Sequence, residues 1–308
     1  MPSTGYRKEA IRRTSPQPSP PLGAEREGPA QREGEVGVQR SRVLPQAFAT
    51  PGTRLLASVR TPEEARRAIA GGADIIDLKE PAQGALGRLS DATIAAIRHE
   101  VAGQRPTSAT IGDLPLAPAP VLEAVRAMAA TGVDIVKLGI FPGEAAATVA
   151  ALGSAARGGI RLVAVLFADR APNFSLVARC ADAGFYGVLL DTADKAAGPL
   201  TRHLAEATLA QFISDARRHG LLAGLAGSLT ASDVPRLLPL GPDYLGFRSA
   251  LTTGGRDAPL DAAAAARLRT LLDGSPPRSK ATATAGAASA APAAAAPSDA
   301  SMMLSKLR

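Results

Sequence analysis

Residues 71–79 read GGADIIDLK and residues 132–137 read GVDIVK. In both segments a glycine and, two residues later, an aspartate precede a run of β-branched and apolar residues that contains a lysine. This glycine–aspartate step is called the aspartate hinge below. A glycine that ends a helix just before a buried apolar strand is typical of repeated strand–helix units. Related hinges stand at Gly184-Phe185 and Gly241-Pro242-Asp243, so the same unit recurs along the chain.

The segments on either side of these hinges alternate between two patterns. Short β-branched runs predict eight strands, at Leu55–Val59, Ile75–Leu78, Ser108–Ile111, Ile135–Leu138, Leu162–Phe167, Gly187–Leu190, Leu222–Leu225 and Tyr244–Phe247. Longer Ala/Leu-rich amphipathic runs predict helices at about 62–71, 90–101, 118–131, 143–156, 174–183, 202–219, 231–238 and 260–272. Eight such units in about 220 residues favour an α/β fold of the (β/α)8 TIM-barrel type over an open doubly wound sheet.

The two ends of the chain differ in composition from the middle. Residues 1–53 are rich in Pro, Gly, Arg, Glu and Gln, and residues 274–308 are an Ala/Pro/Ser tail, so both are predicted to be disordered. Each end carries a net charge of +3, which leaves only +1 on the predicted catalytic domain at 54–273. With few aromatic residues as well, this distribution argues against binding to nucleic acid.

The cellular setting follows from cysteine usage and hydropathy. A single cysteine, Cys180, excludes an intramolecular disulfide framework, and its helical context predicts a buried apolar role. No apolar run approaches the length of a membrane span or a secretory leader. The sequence therefore predicts a cytoplasmic protein without membrane contact, and leaves homo-oligomerisation open.

Polar residues close the predicted strands, where TIM barrels build their active sites. The barrel region holds 20 arginines but only three lysines, Lys79, Lys137 and Lys195, and all three follow or end a strand. Solvated surface lysines would instead be scattered over the helices. Lysine differs from arginine in that it can lose its proton or form a Schiff base, so the three amines are the predicted catalytic groups.

Carboxylates accompany these amines. Strand alternation puts Asp77 on the same face as Lys79, and Asp191 comes from the opposite side of the ring. The two carboxylates could transfer protons during carbinolamine formation and dehydration, or they could be structural ion-pair partners.

The loops after strands seven and eight are the predicted phosphate site, as in many TIM barrels. Gly227 and Ser228 precede a helix whose backbone N–H groups suit an anion, and Arg248 with Ser249 closes the last strand. His99, His203 and His219 fall on helices, and no His/Cys/carboxylate set has metal-ligand spacing, so neither a metal nor an organic cofactor is expected.

Several separated segments, in order, resemble one known family, that of (5-formylfuran-3-yl)methyl phosphate synthase. They are GGADIIDLKEPAQGALG, SATIGDLP, VDIVKLGIF, LFAD, LLDTADK, LAGSL and GFRSALTTGGRD, and they cover nearly the whole of residues 54–273. The two terminal segments have no counterpart in that resemblance.

The resemblance implies a lyase that condenses two molecules of glyceraldehyde 3-phosphate, with loss of phosphate and water, for the synthesis of methanofuran-type one-carbon carriers. It implies that Lys79 in DLKEP forms the Schiff base and that Lys137 in DIVKLG accepts a proton. It also places Asp77, Asp191 and Lys195 in the active site. The alternatives are another class I aldolase acting on sugar phosphates and a non-catalytic phosphate-binding barrel.

Overall fold

The computed structural model describes residues 52–255 and 257–274. Eight strands alternate with helices in this part of the chain and close into a single barrel in the order β1 to β8, each strand parallel to its neighbours. The predicted TIM barrel is thereby confirmed. The predicted disorder of the tails concerns residues that, apart from Gly52, Thr53 and Gly274, lie outside the described ones, and it stays a prediction.

The strands match the predicted ones to within one residue at either end. They are β1 (Arg54–Val59), β2 (Ile75–Leu78), β3 (Thr107–Thr110), β4 (Ile135–Gly139), β5 (Leu162–Phe167), β6 (Gly187–Asp191), β7 (Leu222–Leu225) and β8 (Tyr244–Phe247). The helices are α1 (Pro62–Ala70), α2 (Asp91–Val101), α3 (Pro118–Ala130), α4 (Ala145–Arg157), α5 (Leu176–Asp182), α6 (Leu200–His203), α7 (Glu206–Arg218), α8 (Val234–Leu237) and α9 (Ala262–Asp273).

Two predicted helices were wrong in extent. The helix predicted at 202–219 is broken at Leu204, whose backbone is extended and separates α6 from α7; the Leu200 N–H at the start of α6 donates to the Gly227 carbonyl in the loop after β7 (2.9 Å). The helix predicted at 231–238 is only one turn of α-helix, α8, between two 3₁₀ turns. Pro239 has no N–H to extend α8 further.

The aspartate hinge has a clear structural purpose. Asp74, Asp134 and Asp243 each stand directly before a strand and accept the N–H near the start of the preceding one, from Leu55 (2.8 Å), Thr107 (2.9 Å) and Ala223 (2.8 Å) respectively. The backbone N–H of each aspartate donates back to the carbonyl of the same residue. The repeated motif therefore extends the strand pairing of β1–β2, β3–β4 and β7–β8 at the end of the barrel remote from the site.

The apolar residues form two layers. The larger cluster lies between the outward faces of the strands and the helices, and it includes Cys180, which is fully buried as predicted. The smaller cluster includes inward side chains of the barrel, among them Leu56, Ile75, Ile135, Val163, Leu189 and Tyr244. None of the helices in the described part of the chain has the length and apolar character needed to cross a membrane.

Candidate active site

A cleft opens at the carboxyl ends of the strands, above the inner apolar layer. It encloses about 560 Å³ including its open mouth, and its walls contain all of the predicted site residues: Asp77, Lys79, Lys137, Asp191, Lys195, Gly227, Ser228, Arg248 and Ser249. The chain contributes these residues from β2, β4 and β6 and from the loops after β2, β6, β7 and β8. The fold thus brings together residues that are separated by up to about 170 positions in sequence.

Asp77 and Lys137 form an ion pair at the base of this cleft. The Lys137 Nζ lies 2.5 Å from Asp77 Oδ1, and both side chains are almost fully buried. Asp77 also accepts hydrogen bonds from Ser58 Oγ at 2.9 Å and Ser108 Oγ at 2.6 Å. The strand register produces this arrangement, because Asp77 on β2 is paired with Ser58 on β1 and with Ser108 on β3.

Asp191, at the end of β6, lies between the other two lysines. Its Oδ2 is 3.4 Å from Lys79 Nζ, and its Oδ1 accepts from Lys195 Nζ and, at 2.7 Å, from the Thr192 N–H. The Lys195 amine also donates to the Thr192 carbonyl. One carboxylate therefore holds two amines that come from opposite sides of the barrel.

Burial and charge shift the titration of two of these groups. Burial lowers the pKa of Lys137 below its ordinary value, as does the nearby Lys79 charge, and Asp77 opposes the change without overcoming it. Burial alone would raise the pKa of Asp191, but the charges of Lys195 and Lys79 outweigh it and hold that pKa well below the usual range. Asp191 is consequently an anion at neutral pH, which favours an ion-pair role for it over proton transfer.

The charge of the cleft is positive when all five groups are ionised, since three lysines face two aspartates. One cation is left in excess in a partly buried site, and this suits an anionic ligand such as a phosphate ester.

Small residues after β7 and on β8 line the cleft. They include Ala226 and Gly246, and a Cβ added at Gly246 would stand 3.0 Å from the Ala226 Cβ. At Gly227 the backbone has φ +105°, and an added Cβ would approach the Thr192 nitrogen to 2.9 Å. A larger residue at Gly246 would therefore press on Ala226, and one at Gly227 on the backbone of Thr192.

The predicted phosphate loops line the cleft. In both loops, however, polar groups are already engaged by other side chains of the protein. The Arg248 guanidinium makes a bidentate pair with Glu64, at 2.7 and 3.0 Å; the Glu64 side chain is buried and that of Arg248 is 10% exposed. At the 3₁₀ turn after β7, Thr230 and Asp233 cap each other. Phosphate binding by Gly227, Ser228, Arg248 and Ser249 stays a prediction, and Arg248 is held by Glu64 in this structure.

Some residues of the site were not singled out from the sequence. Ser108 lies at the start of a predicted strand and Glu64 within a predicted helix, with no other signal in the sequence. Alternation from the neighbouring strand would have placed Ser108 beside Asp77. Nothing in the local sequence links Glu64 with Arg248, because they are 184 residues apart and meet only when the barrel closes.

Comparison with known proteins identifies the family. The family model for 4-HFC-P synthase matches residues 55–269, which is nearly the whole barrel. The chain belongs to the 4-HFC-P synthase family.

Relatives within this 4-HFC-P synthase family are similar over most of their length. A Methylorubrum extorquens protein, provisionally named (5-formylfuran-3-yl)methyl phosphate synthase, is 44% identical over 198 residues, covering 64% of this chain and 82% of the relative. The (5-formylfuran-3-yl)methyl phosphate synthase of Methanopyrus kandleri is 36% identical over 219 residues, covering 66% of this chain and 90% of the relative.

Solved structures outside the 4-HFC-P synthase family share the fold alone. A 3-hexulose-6-phosphate synthase superposes with a TM-score of 0.52 at 18% identity, covering 71% of this chain and all of the other. A phosphoribosyl anthranilate isomerase from Thermus thermophilus gives 0.51 at 17% identity, covering 72% of this chain and 98% of the other.

Proposed function

We propose that this protein condenses two molecules of glyceraldehyde 3-phosphate into (5-formylfuran-3-yl)methyl phosphate through a Schiff base on Lys79. The observation that carries the proposal is the meeting of three lysine amines with two buried carboxylates in one cleft. Membership of the 4-HFC-P synthase family supports the product, and the family resemblance supports a use of that product in methanofuran synthesis.

The overall conversion sets the chemical demands. Two triose phosphates, C3H7O6P each, give the furan aldehyde C6H7O6P, one phosphoric acid and two waters. Forming the new carbon–carbon bond requires a carbonyl activated as an electrophile and a base to remove a proton next to a carbonyl. The dehydrations and the loss of phosphate require proton donors and a cation beside the departing anion. Three amines supply these functions without an added cofactor.

Lys79 is the proposed Schiff-base residue. Its Nζ attacks the carbonyl carbon of one triose phosphate, and the carbinolamine loses water to give an iminium cation. Asp191, an anion 3.4 Å from that Nζ, would stabilise the positive charge of the iminium. Lys195 pairs with the other oxygen of Asp191, and in this proposal its amine would also pair with a phosphate group.

Lys137 is the proposed base. Its lowered pKa leaves more of the neutral amine near neutral pH than an exposed lysine would have, so it can accept a proton from the carbon next to a carbonyl. Asp77 holds the Lys137 amine and keeps it paired once it is protonated. Ser58 and Ser108 fix the Asp77 carboxylate, which leaves Lys137 a defined position in the cleft.

Incubation of the full chain with glyceraldehyde 3-phosphate tests the reaction. We expect ultraviolet absorbance of a furan aldehyde to appear together with inorganic phosphate, in equal molar amounts. A product without phosphate release would indicate an aldolase of the ordinary class I type. Binding of the substrate without turnover would indicate a phosphate-binding barrel without catalysis.

Borohydride reduction tests the Schiff base itself. With glyceraldehyde 3-phosphate present, peptide mapping by mass spectrometry should find a reduced adduct on Lys79, and Lys79→Ala should abolish it. Lys137→Ala is the matched control, since it should keep the adduct and lose turnover. An adduct that persists in Lys79→Ala and disappears in Lys195→Ala would assign the Schiff base to Lys195 instead.

A further inference from the structure

The loop between β6 and α6 carries Lys195, and its position depends on the loop backbone. Lys195 lies four residues past Asp191, outside the hydrogen-bonded ladder that holds Lys79 and Lys137. A lysine side chain has many rotamers, so it contacts Asp191 in one geometry only if its own backbone is held. Something other than strand pairing must therefore fix residues 192–195.

Asp169 contacts this loop from the neighbouring strand. It belongs to the 3₁₀ turn that follows β5, and β5 pairs with β6 so that Phe167 is opposite Asp191. Its Oδ1 accepts the Ala193 N–H at 2.7 Å and its Oδ2 accepts the Asp194 N–H at 2.7 Å. Both oxygens of one carboxylate thus hold two successive amides directly before Lys195.

Asp191 and Asp169 together accept hydrogen bonds from three successive N–H groups of this loop. The Thr192 N–H donates to Asp191, and the next two N–H groups donate to Asp169. With these three amides engaged, the chain turns so that the Lys195 amine returns to Asp191 and to the Thr192 carbonyl.

We propose that Asp169 is a positioning residue, which holds the loop at 192–195 so that the Lys195 amine stays on Asp191. The expected effect of Asp169 on catalysis rests on the proposed function, in which Lys195 faces a phosphate. The expected effect of Asp169 on the position of the loop does not. Asp169 itself does not touch the substrate in this proposal. It acts through the backbone of Ala193 and Asp194.

The charge state of Asp169 suits this task. Burial raises its pKa, but hydrogen bonds from the N–H groups of Asp194, Ala193 and Asp169 itself, together with the Arg170 charge, outweigh burial and lower the pKa below the ordinary value. The carboxylate therefore remains ionised at neutral pH, and hydrogen bonds to an ionised acceptor are the stronger ones.

Asp169→Asn tests the two hydrogen bonds that the Asp169 carboxylate accepts from Ala193 and Asp194, called here the clamp, while the size of the side chain hardly changes. The amide keeps one acceptor oxygen but turns an NH₂ group towards an N–H donor, so one of the two hydrogen bonds is replaced by a repulsion. Asp134→Asn is the matched control. Asp134 also accepts a backbone N–H, that of Thr107 at 2.9 Å, but it does so at the opposite end of the barrel.

Amine labelling of the full chain measures the effect without any need for activity. An amine-reactive reagent is applied for short times near pH 8, and lysine peptides are quantified by mass spectrometry. In Asp169→Asn, labelling of Lys195 should rise about tenfold, the factor expected for the loss of a charge-assisted hydrogen bond. Labelling of Lys79 and Lys137 should not change, and Asp134→Asn should leave Lys195 as in the unaltered protein.

A double-mutant cycle then tests the route by which Asp169 affects turnover. Asp169→Asn should lower kcat by about 10-fold to 100-fold, as a misplaced catalytic group does, and should have little further effect when combined with Lys195→Ala. Asp169→Glu keeps both acceptor oxygens and should recover most of the lost activity. If Asp169→Asn acted through a general structural effect instead, its reduction of kcat would multiply with the reduction caused by Lys195→Ala.

Unchanged Lys195 labelling in Asp169→Asn, or an equal rise in Asp134→Asn, would refute the clamp. If the unaltered protein makes no furan aldehyde, the proposed function fails, and the labelling result still decides whether Asp169 holds the loop. Should Asp169→Asn not fold, Asp169→Ala, which removes both acceptor oxygens without adding a donor, is labelled instead; a rise at Lys195 is expected, and no rise would count against the clamp.

Discussion

At the scale of single residues, the five charged groups of the cleft differ in what they can do. Asp191 is kept ionised by two lysines, so it serves as a fixed negative charge rather than a proton donor. Burial lowers the pKa of Lys137, so more of its amine is neutral near neutral pH than in an exposed lysine. The division of roles between an anion and a base therefore follows from burial and neighbouring charge.

The pH profile of kcat/KM should report Lys137. A base must be neutral to act, so we expect kcat/KM to rise with pH and to level off, with a midpoint below the ordinary lysine value of 10.5. Asp77 raises the Lys137 pKa; its removal in Asp77→Asn should move the rising limb to lower pH. Ser108→Ala, which removes only a neutral hydrogen bond to Asp77, should leave the limb in place. A rising limb that moves to higher pH in Asp77→Asn would contradict the assignment.

Among the elements, a largely buried ion pair connects the loop after the last strand to the first helix. Glu64 on α1 accepts two hydrogen bonds from Arg248 after β8, and a third from the Arg60 N–H at 2.7 Å. The Arg248 guanidinium also donates to the Ser58 carbonyl at 3.1 Å. The pair thus connects the loop after β8 with the end of β1 and with α1, next to the candidate site.

Glu64→Gln should be strongly destabilising. It leaves the largely buried Arg248 charge without its anionic partner, which costs about 3 kcal/mol, and in a domain of this size the Tm should fall by roughly 10 °C. Arg236→Ala is the control, because its pair with Glu206 is exposed and should matter little. Thermal unfolding followed by circular dichroism compares the two. A similar small shift in both variants would show that the Arg248 pair contributes little.

At the scale of the whole molecule, the candidate site is formed by most of the barrel at once. Its lining residues come from β1, β2, β4 and β6 to β8 or from the loops that follow them. A ligand bound there contacts both halves of the chain. Its binding energy therefore stabilises the closed barrel as a unit.

Inorganic phosphate should raise the thermal stability of the full chain. At about 100 times its Kd, a ligand specific for the folded state adds about 2.7 kcal/mol, which corresponds to a Tm increase of about 5–10 °C. Lys195→Ala, which removes the excess positive charge, should reduce that increase. Chloride at matched ionic strength is the control for screening, and an equal Tm rise with chloride would argue against an anion site.

The repeating part of the architecture could be read from the sequence. Hinges such as Gly71–Asp74, strand runs such as Leu162–Phe167 and the strand-end lysines are local patterns, and the structure has them where they were predicted. The extents of α6 to α8 could not be read in this way. They depend on a contact from Leu200 to Gly227 and on how the chain packs across the barrel end.

Local patterns are enough to predict the number and order of the strands, because periodicity and helix-ending glycines act over a few residues. They also predict that the three scarce lysines stand at strand ends. The ion pairs, in contrast, are visible only in the folded barrel: Lys137 with Asp77, Asp191 between Lys79 and Lys195, and Arg248 with Glu64. Such pairings arise when the barrel closes, since electrostatic partners are selected by distance in space and by burial, neither of which is set by spacing along the chain.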